Sequence, residues 1–217
     1  MLLIGAVMVF AQSPQALIRE LAGTVEIKKP GSADWTAARA GDQLEKAAIL
    51  STGFKSSAVL VIGDSTLMVK PLTRLSLDEL LEQDNAETVN LGLRTGRIQA
   101  SVTPPADHKT NLTVRTPTAT ASVRGTRFSM NPVSLKVTEG SVWYEPVSAQ
   151  GRPTLVNAGQ SSRIDTETGN AVNPLVQAEA ERGLPVLAGE TTASSDEGGT
   201  VQTVPKGTVE IELELEK

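Results

Sequence analysis

The stretch Val114-Arg-Thr-Pro-Thr-Ala-Thr-Ala-Ser-Val-Arg-Gly-Thr-Arg-Phe-Ser-Met130 sets one glycine, Gly125, between two runs that alternate apolar or small residues with polar ones. Before the glycine, Ala119, Ala121 and Val123 share one parity, and Thr118, Thr120, Ser122 and Arg124 share the other. After it the apolar set is Phe128 and Met130, with Thr126 aligned to them. The inward parity flips from odd to even positions. Side chains alternate across a strand with a period of two, so the flip would expose one apolar set unless the chain resets its register. A β-bulge or corner at Arg124-Gly125 performs the reset, because glycine accepts a positive φ there. The small pair Ala119 and Ala121 implies close approach by another layer, with Phe128 as a large core anchor.

The same stretch holds Arg115, Arg124 and Arg127. One reading is an anion or carboxylate site built from these guanidinium groups. The preferred reading is structural: Arg124 satisfies backbone carbonyls left unpaired at the bulge, or pairs with an acid such as Glu139, because buried backbone groups need partners.

Composition agrees with strands. The chain of 217 residues has 39% hydrophobic and 3% aromatic residues, so a core must be built from Val, Leu, Ile, Ala and Thr. The branched residues among these pack well on a pleated surface. A net charge of -5, with no basic stripe interleaved with aromatics, argues against nucleic-acid binding. The absence of cysteine removes disulfides, thiolate nucleophiles and Cys-ligated metal sites.

Working outward, short strand-like runs fill residues 22–165. Gly23-Thr-Val-Glu-Ile-Lys28 alternates, and Ser57-Ala-Val-Leu-Val-Ile62 is nearly all apolar, as a strand covered on both faces would be. Gly63-Asp64-Ser65 then turns it into Thr66–Lys70 as a hairpin. Asp78–Gln83 reads as a continuing strand, followed by a turn at Asp84-Asn85. Gly23-Thr-Val25, Gly96-Arg-Ile98 and Gly140-Ser-Val142 repeat one phrase at irregular spacing, as strands entering from equivalent corners would. Residues 173–183 read as a short helix with Asn173 as N-cap, Pro174 at its first position and Gly183 as its stop.

The ends differ from this middle. Residues 1–11, in MLLIGAVMVFAQS, read as the apolar part of a secretory signal cleaved after Ala11, although no Lys or Arg precedes it. A buried N-terminal element is the other reading, and no window is long enough to span a membrane. Residues 188–207 have the composition of a disordered linker. Residues 208–217 close the chain as a strand with Val209, Ile211, Leu213 and Leu215 on one face and glutamates on the other. Such a strand can add to a sheet edge of its own domain, or of a partner.

Several pieces in fixed order resemble the FecR domain family. They are Gly41-Asp-Gln-Leu44, Ile49-Leu-Ser-Thr52, Ser57–Ser65, Leu93-Arg-Thr-Gly96, Val114-Arg-Thr-Pro117, Ser122-Val-Arg-Gly-Thr-Arg-Phe128, Val137-Thr-Glu-Gly-Ser-Val142 and Asn157-Ala-Gly-Gln160. The resemblance implies an all-β module whose short strands wind in a solenoid- or roll-like arrangement. It also marks Thr116, Pro117, Arg124, Gly125, Thr126, Phe128, Glu139, Gly140 and Gly159 as positions of the family pattern. Some members carry an anti-sigma segment and a membrane span ahead of this domain. Neither is found in this sequence, so it resembles the stand-alone exported members.

Little points to catalysis. His108 is the single histidine, in the polar loop Pro104–Thr110, so a two-histidine metal site is impossible. No nucleophile elbow, phosphate loop or paired carboxylates stand out. The expectation is a non-enzymatic interaction or sensing module of the cell envelope, without cofactor or metal. It would bind an envelope protein, with Arg127 and the apolar face of the terminal strand as its contacts. The alternatives are a carbohydrate- or peptidoglycan-binding protein, whose stacking platforms would be Trp35, Trp143 and Tyr144, and a hydrolase on a β scaffold.

Overall fold

The computed structural model describes residues 16–83, 86–103 and 109–182. The chain divides into two units, Met1–Val186 and Leu187–Lys217. The leader at 1–11, the turn at Asp84-Asn85, His108, Gly183, the linker at 188–207 and the terminal strand at 208–217 lie outside the described residues.

Among its described residues the first unit is all-β apart from one helix. Its strands open with β1 (Ala16–Ala22), β2 (Val25–Lys28), β3 (Trp35–Ala37), β4 (Gln43–Leu44), β5 (Ile49–Thr52) and β6 (Ser57–Ile62). There follow β7 (Ser65–Val69), β8 (Arg74–Gln83), β9 (Ala86–Thr95), β10 (Ile98–Ser101), β11 (Lys109–Arg115) and β12 (Ala119–Val123). Last come β13 (Arg127–Met130), β14 (Ser134–Glu139), β15 (Ser141–Pro146), β16 (Thr154–Asn157), β17 (Ser161–Arg163) and the helix α1 (Pro174–Glu181).

These strands form two sheets. One has eight strands in the order β17-β14-β13-β10-β7-β6-β1-β4, and the other has nine in the order β16-β15-β12-β11-β9-β8-β5-β2-β3. The chain passes back and forth between them while both orders advance almost in step with the sequence. Neighbours pair antiparallel except β9 and β11, which run parallel. One face of each sheet is buried in a single core, in which Tyr144, Phe128, Ile18, Leu50 and Leu60 are among the largest wholly buried side chains. Packing of two sheets over a shared apolar layer is what strands with one apolar face require.

The reset at Arg124-Gly125 is a change of sheet. β12 belongs to the nine-stranded sheet and β13 to the eight-stranded one. Ala119, Ala121 and Val123 therefore face the core from one side, and Thr126, Phe128 and Met130 face it from the other. The parity flip follows, because the two sheets present opposite faces to one interior. Gly125 sits at the corner with φ of 59°. The space beside the small Ala121 is taken within the same sheet, where Tyr144 stands directly opposite it.

Other crossovers use the same device. Gly23, Gly96, Gly140 and Gly159 take positive φ where the chain changes sheet. At three crossovers a residue other than glycine does so: Ala47 (φ 68°), Lys55 (φ 54°) and Leu72 (φ 56°).

Three details differ from the sequence reading or extend it. β6 is not covered on both faces: Ala58, Leu60 and Ile62 are buried, while Val59 and Val61 are half-buried. β1 lies ahead of residue 22 and buries Ala16 and Ile18, with a register shift between Ile18 and Glu20 that interrupts its alternation. β8 runs through Asp78–Gln83 as a strand, as the sequence suggests.

Candidate interaction surface

Several of the pieces singled out in the sequence lie at sheet-changing corners, and Thr116 and Pro117 lie at a turn within the nine-stranded sheet. Thr126 is buried, and its hydroxyl donates to the Ser141 carbonyl at 2.9 Å while lying 3.1 Å from that of Arg124. The corner at Gly140 stacks against it: a Cβ on Gly140 would stand 2.8 Å from the Gly125 carbonyl oxygen. Thr116 works in the same way at the β11–β12 turn, accepting from the Ala119 N–H at 2.9 Å and donating to the Pro132 carbonyl at 2.9 Å. Pro117 lies exposed at the tip of that turn. Thr118 also donates to Pro132. Buried Ser56, Thr52 and Thr73 tie further corners, through bonds such as Thr24 N–H to Ser56 Oγ and Thr73 N–H to Thr52 Oγ1. A short hydroxyl at a corner satisfies backbone groups that no ladder reaches.

The arginines do something different from what the sequence suggested. Arg124 is exposed and its guanidinium donates to Asn111 Oδ1 at 3.4 Å, so the carbonyls of the corner belong to Thr126 and not to Arg124. The partner of Glu139 is Arg127, at 2.5 Å, with both side chains more than half exposed. An ion pair so open to water is worth about 0–1 kcal/mol. Arg115 stands at the far end of β11 from Asn111, so the three guanidinium groups are not brought together. Phe128 is the buried anchor, and Gly159 turns β16 into β17, with its N–H bonded to the Val137 carbonyl at 2.9 Å.

The surface feature that the sequence did not disclose is at the end of the nine-stranded sheet. Among the described residues β16 is its last strand and pairs on one side only, with β15. The matching end of the other sheet is dressed: beyond β17, Ile164 bridges Ala171 and the Ser162 hydroxyl donates to the Val172 carbonyl. α1 follows, with Asn173 Oδ1 accepting from the Leu175 N–H at 3.0 Å. Asp165 turns the intervening loop by accepting from the N–H groups of Glu167 and Thr168, and those bonds hold its carboxyl below the usual carboxylate range. On the outer face beside the β16 edge, Trp143 and Leu155 stand opposite each other, each 46% exposed. An unpaired backbone edge next to two large apolar side chains is the geometry by which an extended segment adds to a sheet.

Tyr144 points the other way. It is wholly buried, its hydroxyl has no partner among the described residues, and burial pushes its pKa well above the ordinary phenol value. Tyr144 is therefore unavailable as a stacking platform. Trp35 is covered by the Arg74 guanidinium, 5.2 Å from its ring centroid. Among the described residues no three His, Asp or Glu side chains come together as a metal site, and no helix is long and apolar enough to cross a membrane.

Residues 48–143 match the family model described as FecR protein. Two crystal structures of a candidate anti-sigma factor from Parabacteroides distasonis, at 1.65 Å and 2.50 Å resolution, are similar in part. Each has 13% sequence identity and a TM-score of 0.46, over 62% of this chain and 65% or 64% of the other. This chain thus spans less than two thirds of their length. No curated protein matches the sequence.

Proposed function

From the match of residues 48–143 to the family model described as FecR protein, we propose that the chain is a signalling or sensing module of the cell envelope that acts without catalysis, by binding a protein partner. The observation that carries this reading is the open edge of β16 beside Trp143 and Leu155. Backbone groups along such an edge supply affinity to any extended segment, and the flanking apolar pair supplies selectivity for one whose alternate residues are apolar. The terminal segment with Val209, Ile211, Leu213 and Leu215 has that alternation, and it offers the same kind of strand to an edge on a partner.

A photo-crosslinking residue placed at Leu155 tests this in envelope preparations, with the same residue at Thr36, on β3 at the other end of the sheet, as control. The expected result is one discrete protein adduct from position 155 and none from position 36. Adducts of equal yield from both positions, or retention on a glycan matrix without any protein adduct, would overturn the reading.

A further inference from the structure

Three neighbouring corners form one rim of the sandwich. The Leu72 N–H bonds the Gly53 carbonyl, the Gly53 N–H bonds the Thr24 carbonyl, and the Lys70 N–H bonds the Arg97 carbonyl. Gly96 packs so closely on Thr73 that a Cβ there would meet its Cα at 2.4 Å. The segments 53–56, 70–74 and 94–97 that make these corners contain Lys55, Lys70, Arg74, Arg94 and Arg97, and no Asp or Glu. That concentration of positive charge is local, in a chain whose net charge is -5.

On the same rim stand two large apolar side chains, Phe54 at 74% exposure and Leu72 at 59%. The Lys55 ammonium lies 5.8 Å from the Phe54 ring centroid. Leu72 holds a φ of 56° and Lys55 one of 54°, in the left-handed region that the corners at Gly23, Gly96, Gly125 and Gly140 give to glycine. A branched bulky residue is strained there, and such strain persists where a side chain is wanted.

We propose that this rim docks on an anionic bilayer surface, Phe54 and Leu72 entering the interface while Lys55, Lys70 and Arg97 lie over lipid phosphates. Charge of one sign around protruding apolar groups fits a negatively charged lipid surface. A strand-adding peptide fits less well, because the corner N–H and carbonyl groups cited above are already bonded to one another. Both side chains are also largely exposed, Phe54 most of all. This site is separate from the β16 edge, so either reading can fail alone.

The test is sedimentation of the full chain with vesicles of phosphatidylglycerol and phosphatidylcholine, and with vesicles of phosphatidylcholine alone. It is set against the double variant Phe54→Ser, Leu72→Gly. Residues 1–11 are common to both proteins, so they cannot produce a difference between them. Glycine suits a φ of 56°, so the variant should keep its thermal midpoint or raise it. The expected result is binding to the anionic vesicles that weakens with salt and falls about tenfold or more in the variant. Equal binding by the variant, or equal binding to both kinds of vesicle regardless of salt, overturns the proposal. Binding of an acidic peptide that depends on Phe54 and Leu72, with no vesicle binding, would assign the rim to a protein partner and also overturn it.

Discussion

Thr126 Oγ1 lies 2.9 Å from the Ser141 carbonyl oxygen, a bond that joins one sheet-changing corner to the next. Thr126→Val keeps the shape and removes the donor, leaving a carbonyl at a buried corner short of a partner. The expected loss is about 1–3 kcal/mol in urea unfolding, with Thr126→Ser close to wild type. Arg127→Ala at the neighbouring exposed ion pair should cost about 0–1 kcal/mol. A larger effect from the arginine than from the threonine would reverse the roles given to them here.

Gly140 and Gly159 share the left-handed conformation, with φ of 76° and 79°, and differ in what surrounds them. A Cβ on Gly159 would meet nothing within 4 Å, whereas one on Gly140 would press on the Gly125 carbonyl at 2.8 Å. Gly159→Ala should therefore cost only the backbone term, about 1–2 kcal/mol. Gly140→Ala should exceed it by about 1–3 kcal/mol, because two corners must part. Thermal midpoints of the two variants measure the difference directly.

Tyr144 contributes its ring to the core and carries a hydroxyl that has no partner among the described residues. Burial of an unpaired hydroxyl opposes folding, so Tyr144→Phe should leave stability unchanged or raise it by about 1–2 kcal/mol. Ultraviolet titration should show the phenol of the wild type resisting ionisation beyond the usual range until the protein unfolds, since burial raises its pKa. Titration at the ordinary phenol value in the folded protein would contradict this burial.

Asp165 gives a pH dependence of the opposite kind. Its folded pKa is lowered by the two N–H groups it accepts from, so its contribution is present above the ordinary carboxylate pKa and is lost as pH falls through the lowered one. In Asp165→Asn this dependence should disappear. Thermal midpoints measured from neutral pH into the acid range should fall less steeply for the variant than for wild type. Parallel curves would show that the turn does not stabilise the fold through this carboxylate.

The alternation around Gly125 was legible because the period of a strand is a local property, and Ala119, Ala121, Val123, Phe128 and Met130 are all buried as that period requires. What produced the flip was not legible. A bulge and a change of sheet leave the same trace in one strand and differ only in its pairing partners, which the sequence does not name. The same limit applies to the edge at β16, since a run such as Thr154–Asn157 looks alike at the centre and at the margin of a sheet. Arg124 was given the corner carbonyls because a long cation suggests reach. The inward parity of Thr126, which put its short hydroxyl at the buried corner, was the better signal. β1 was hidden by Arg19-Glu20 and by the register shift that breaks its alternation.

The stepwise order of both sheets has a consequence for how the molecule comes into being. Apart from β1 and β2, which have no earlier strand to pair with, each strand finds a partner among those that precede it by one to three positions in the chain, or by five for β6. Once β1 and β2 are in place, a chain emerging with its N-terminus first can lay each new strand on a surface already built, course upon course. Vectorial growth of this kind leaves the newest course as the reactive one. Among the described residues that course, in the nine-stranded sheet, is β16, whose outer side carries no further strand.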